Sequence, residues 1–86
     1  MNINDLIAIV KKKLIREIII EKIDIEDKSF LHKNHSGHQE GKFHLKLIIG
    51  SKELKDLNRI ESNKKIYKIL DQEMTEHIHS LQILIN

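Results

Sequence analysis

Six histidines in a chain with no cysteine are the residues whose type could carry chemistry. His32-x-x-His35-x-x-His38 brings three imidazoles close together, and His77-x-His79 adds two near the far end. Neutral imidazole is the commonest metal-ligating side chain and suits zinc, copper and iron. His79 lies in the apolar run Ile78-His79-Ser80-Leu81, where burial of its ring must be offset by a hydrogen bond or a ligand. His77 reads as a turn residue, although strand alternation puts it on the face of His79 if both are extended. His44 opens an alternating segment and reads as a partly buried histidine with its hydrogen bonds made, whereas His35 and His38 read most simply as solvated. No His-Glu-x-x-His is present, so spacing alone selects no metal.

Other chemistries lack their residues. There is no Gly-x-Gly-x-x-Gly, no phosphate-cradling lysine motif and no nucleophile elbow. Ser29 stands near His32, but a local Ser-x-x-His is not a triad. No pair of carboxylates stands out from the charged surface, so a non-enzymatic protein is expected. The 15 Lys and Arg against 13 Asp and Glu leave a formal net charge of +2, a weak footprint for a phosphate-backbone binder. In the nucleic-acid alternative, Lys64, Lys65 and Lys68 are the contact residues, while Lys11-Lys12-Lys13 reads as a solvated helix face. The apolar run 6–10 is far short of the roughly 20 residues that span a bilayer. Its positive charges follow it, the reverse of a signal peptide. The expectation is a soluble cytoplasmic protein with no membrane partner. The absence of cysteine suits a reducing compartment.

A chain of 86 residues is one small domain, 1–86, with a thin core. Ile3, Leu6, Ile7, Val10 and Leu14 form one helical stripe, with Asn4 as the expected N-cap and Asp5 in the first turn. The period then changes to two, with Ile23 and Ile25 alternating with charge, and predicts a strand over about 19–26. Residues 27–41 are polar and glycine-containing and read as a long loop. Phe43, Leu45, Leu47 and Ile49 alternate as a second strand, expected antiparallel to the first. Residues 52–58 form a connector with one helical turn. A second helix over about 59–73 is expected to bury Ile60, Tyr67, Leu70 and Met74, supported by Ile66 and Ile69. The apolar segment 78–85 reads as a third strand, central in the sheet because it is apolar on both faces. The fold class is α+β, an α-β-β-α-β sandwich of three strands with the helices on one face.

Four motifs resemble one family. Residues 27–38, Asp-Lys-Ser-Phe-Leu-His-Lys-Asn-His-Ser-Gly-His, resemble the Asp-x-Ser-x-x-His-x-x-His-x-Gly loop of BolA proteins. His44-Leu45-Lys46-Leu47-Ile48-Ile49-Gly50-Ser51 resembles their second strand. Arg59-Ile60-Glu61 with Ile66-Tyr67-x-x-Leu70 resembles the start of their long helix, and Ile78-His79-Ser80-Leu81 their Val-His-Ala-Leu signature. The resemblance implies a core similar to a type II KH domain and partnership with a monothiol glutaredoxin. It implies a [2Fe–2S] cluster bridging the two, with thiolates from the glutaredoxin and its bound glutathione. On this chain it implies His79 and a loop histidine as ligands, His32 first and His35 as the alternative. A homodimer and DNA are further partners, DNA the weaker, since no Gly-x-x-Gly clamp is present and stacking aromatics are scarce. The family's Arg-His-Arg at the head of the long helix reads Ser62-Asn63-Lys64 here, and its aromatic in the connector reads Leu54. The family's C-terminal helix is expected to be absent after Asn86.

Overall fold

The computed structural model describes residues 1–29 and 42–86. The elements run α1 (Ile3–Glu17), β1 (Lys22–Asp27), β2 (Phe43–Gly50), α2 (Lys52–Lys55), α3 (Arg59–Ile69), α4 (Asp71–Glu76) and β3 (Ile78–Ile85). Helix α1 forms on its apolar stripe, with Leu6, Val10 and Leu14 buried. Its N-cap is Asn2 rather than Asn4: the Asn2 side chain accepts from the Asp5 N–H at 2.8 Å, so the helix already includes Asn4. Its far end closes where the Ile18 N–H donates to the Leu14 carbonyl at 2.9 Å. The chain then extends through Ile19 and Ile20, and pairing starts at Lys22, later than the residue-19 start of the expected strand. Ser51 ties this entry to the next helix. Its hydroxyl donates to the Ile19 carbonyl at 2.8 Å and accepts from the Leu54 N–H as the N-cap of α2.

The sheet order is β1-β2-β3. Strand β2 pairs antiparallel with β1, as expected, and parallel with β3, whose crossover is supplied by the three helices between them. The central strand is therefore β2, and β3 lies at an edge. The reason is visible in its faces. Leu81, Ile83 and Ile85 pack on the core while Ser80, Gln82 and Leu84 point away from it, so β3 is two-faced only at Leu84, which is 46% exposed. In β2, by contrast, Leu45, Leu47 and Ile49 are buried on one face and His44 on the other. The Tyr67 hydroxyl donates to the Leu81 carbonyl at 3.3 Å, covering part of β3's outer edge.

The expected long helix is two helices meeting at Leu70 (φ −97°, ψ 18°). Leu70 is fully buried, so packing rather than a breaker residue sets the bend. The buried face also differs from expectation. It runs through Ser62, Ile66, Leu70 and Glu73, while Ile60 is 68% and Tyr67 40% exposed. Two polar residues hide this stripe from a hydropathy reading, and each has a partner in place. The Ser62 hydroxyl donates to the Arg59 carbonyl at 3.0 Å, and Glu73 pairs with Lys13 Nζ at 2.7 Å. Nearby, the Lys65 ammonium donates to Glu53 at 3.0 Å and holds that carboxyl below the usual carboxylate range. Leu6, Val10, Leu14, Leu45, Leu47, Ile49, Ile66, Leu70 and Ile78 form one core between the helices and one face of the sheet. Among the described residues, no helix is long and apolar enough to cross a membrane.

Candidate functional site

The site lies at the start of β2 and β3. Phe43 is paired with Ile78, but His44 is paired with Ser80, so the register slips by one residue and His79 is left outside the ladder. The core demands this slip. Ile78 is buried and Leu81, three positions on, must also face the core, whereas strict alternation would turn one of them outward. An extra residue resolves the conflict, as β-bulges do, and re-aims the side chain it carries. His79 and Ser80 consequently both stand off the core and are exposed.

His44 faces the same side from the central strand and is only 5% exposed. Its Nδ1 shares a 2.6 Å hydrogen bond with the Ser80 hydroxyl. Its ring lies 4.9 Å, centroid to centroid, from the ring of His79, tilted by 52°. The backbone around it is fixed by the Asp-x-Ser segment. The Asp27 carboxylate accepts from the Ser29 N–H at 2.9 Å, and the Ser29 hydroxyl accepts from the His44 N–H at 3.0 Å. The Lys28 N–H donates to the His44 carbonyl at 2.7 Å. The segment resembling a ligand loop thus begins as a clamp on the strand that carries His44.

Of the histidines singled out from sequence, His79 is exposed at the slip, in place of the burial its apolar neighbours suggested. His32, His35 and His38 lie outside the described residues. His77 is the C-cap of α4 (φ −130°, ψ −20°), so it is not extended and shares no strand face with His79. Its carbonyl accepts from the Phe43 N–H at 2.9 Å, which anchors the two strand starts together. His44 is the buried, hydrogen-bonded histidine expected, but its position beside His79 was not foreseen. The signal for it, Ile78-x-x-Leu81 in an alternating strand, becomes readable only with the parallel register known. Among the described residues, no group of three or more His, Asp or Glu could hold a metal on its own.

The lysines of the nucleic-acid alternative sit on α3. Lys65 and Lys68 line a groove of about 470 Å³ together with Lys13, Arg16, Glu17 and Ile69, while Lys64 is exposed outside that lining. Lys13 reads in the sequence only as part of the solvated Lys11-Lys12-Lys13 face, and it is the packing of α1 on α3 that joins it and Arg16 to Lys65 and Lys68.

The family model described as "BolA-like protein" matches residues 14–86. The chain belongs to the BolA family. This BolA chain is 28% identical over 75 residues to the Haemophilus influenzae protein named DNA-binding transcriptional regulator BolA, covering 87% of this chain and 70% of that one. Its fold is similar to the BolA domain of SufE1 from Arabidopsis thaliana, with a TM-score of 0.77 and 25% identity over 92% of this chain and 87% of that one. It is also similar to BolA1 from the same plant, with a TM-score of 0.75 and 26% identity over 91% of this chain and 86% of that one. Two of the four motifs that resemble the BolA pattern, 44–51 and 78–81, are the strands whose starts bring His44 and His79 together.

Proposed function

We propose that this BolA-family chain is a non-enzymatic adaptor in iron–sulfur cluster assembly, trafficking or iron sensing. It offers His79 to a [2Fe–2S] cluster held jointly with a monothiol glutaredoxin and its bound glutathione. The observation that carries the reading is the placement of His79, exposed and outside the ladder yet mounted on a strand of the sheet. A ligand for a group completed by another molecule needs this combination of access and a rigid base. The chain has no thiolate, so the soft ligands come from the partner. When bound, imidazole in place of thiolate at one iron raises the reduction potential. The second ligand from this chain is His32, with His35 as the alternative. The pair works in a reducing cytoplasm. The test is anaerobic co-purification with a monothiol glutaredoxin, iron, sulfide and glutathione, followed by visible absorption and circular dichroism. His79→Ala is expected to abolish the heterocomplex spectrum or convert it to that of the glutaredoxin alone. A spectrum identical to wild type for His79→Ala overturns the reading.

The second reading is DNA binding, favoured by the name of the Haemophilus relative and by the cationic groove between α1 and α3. Lys13, Lys65 and Arg16 are each partnered by a carboxylate, which reduces what they offer a phosphate. Binding to duplex DNA that weakens with salt supports this reading, provided Lys64→Gln, Lys65→Gln and Lys68→Gln each lower the log–log salt slope by roughly one. No binding near 0.15 M salt, in conditions where the screening length is about 8 Å, removes it.

A further inference from the structure

We propose that His44 is a positioning residue for His79, acting through Ser80. The inference rests on the reading of His79 as a ligand, and it extends that reading to the residues that aim the ring. The bulge that frees His79 from the core also removes the ladder constraint on its backbone. An exposed imidazole at such a position rotates about its side-chain bonds, and a rotating ligand loses entropy on capture. Three observations supply the missing constraint. The Ser80 hydroxyl, on the residue next to His79, is bound to His44 Nδ1 at 2.6 Å, which pins the backbone on the C-terminal side of the slip to the central strand. On the N-terminal side, the His77 carbonyl is pinned by the Phe43 N–H at 2.9 Å. The buried His44 ring then lies against His79 at 4.9 Å and a tilt of 52°, limiting the planes that the outer ring can occupy.

His44 is itself held too firmly to be an idle neighbour. Its N–H donates to Ser29, its carbonyl accepts from Lys28, and its ring nitrogen is engaged by Ser80. Groups of this kind, which orient a ligand without touching the metal, commonly change metal affinity by about 10–100-fold when removed.

The test uses Ser80→Ala, Ser80→Thr and His44→Phe. Ser80 is exposed, so Ser80→Ala changes the clamp without opening the core. In the isolated chain, side-chain couplings and ring relaxation measured by NMR report whether His79 holds one rotamer. The expected result is a single rotamer in wild type and Ser80→Thr, and averaging in Ser80→Ala and His44→Phe, with Ser80→Ala still folded and unfolding cooperatively. In the glutaredoxin complex, Ser80→Ala is expected to lose cluster to a chelator about tenfold faster, with altered circular dichroism. Wild-type averaging, or rotamers and cluster loss unchanged in both Ser80→Ala and His44→Phe, overturns the proposal. So does His44→Phe behaving as His79→Ala, with no cluster retained, because His44 is then a ligand. The NMR arm decides the positioning without the cluster, and His79→Ala decides the cluster reading without Ser80, so the two failures are distinguishable.

Discussion

Replacing Leu47 by alanine is expected to bring the chain close to unfolding at 37 °C. Leu47 sits in the middle of the central strand with no exposure, between Ile25 of β1 and Ile83 of β3 in register. Both neighbours are held by the sheet ladder, so the space cannot close by a side chain swinging in from outside. Leu→Ala in such sites costs about 2–5 kcal/mol, from lost transfer energy and the cavity left behind. Small domains have only about 5–15 kcal/mol in total. One kcal/mol moves the midpoint of a domain this size by about 4–8 °C, so the melt is expected to fall by roughly 8–40 °C. Thermal and urea unfolding check it. A loss below about 1 kcal/mol shows that β2 is not the packing centre. Ile83→Ala, on the half-buried edge strand, serves as the milder control.

The second large effect is asymmetric. Glu73 is buried, with its side chain 6% exposed, while its partner Lys13 is 26% exposed. The carboxylate keeps one oxygen on Lys13 at 2.7 Å, and the other has no hydrogen-bond partner among the described residues. Lys13→Met therefore leaves an uncompensated buried charge, whereas Glu73→Leu leaves a lysine that can turn to water. Breaking fully buried pairs from one side costs about 3–5 kcal/mol. Solvent access at Lys13 lowers this to about 2–3 kcal/mol for Lys13→Met. Glu73→Leu is expected to cost less than half as much, and the double substitution is expected to recover most of the loss. Urea unfolding of the four proteins in a double-mutant cycle checks it. Equal losses for the two single substitutions refute the asymmetry.

These two sites also show what the sequence could reveal. Leu47 was legible because alternation over 43–49 marks a half-buried strand without knowledge of any partner. Helix α1 was legible for a similar reason, its stripe being unbroken by polar residues. Glu73 was not, because a carboxylate on a buried face contradicts the hydropathy pattern until Lys13 is brought to it by α1. The same concealment drew the helical stripe onto Ile60 and Tyr67, which are exposed, and left out Ser62 and Glu73, while Ile66 and Leu70 are buried as expected. Strand order failed for a different reason: Leu84 made β3 look two-faced, and which strand is central depends on crossovers between segments far apart in sequence. At the candidate site, His79 was singled out from its motif, but its exposure and its contact with His44 depend on a register slip that no local pattern prints. The cation groove is likewise made by packing two helices whose charges look ordinary alone.

The slip at His79 has a consequence for how the chain can change over evolution. Position 79 is outside both the hydrogen-bonded ladder and the apolar core, so neither the sheet nor the packing specifies which residue stands there. Substitutions at that point are insulated from the energetics that maintain the domain. A lineage can change or abandon the imidazole while its scaffold persists, and a stable fold is therefore a poor guide to which side chain a given member carries there.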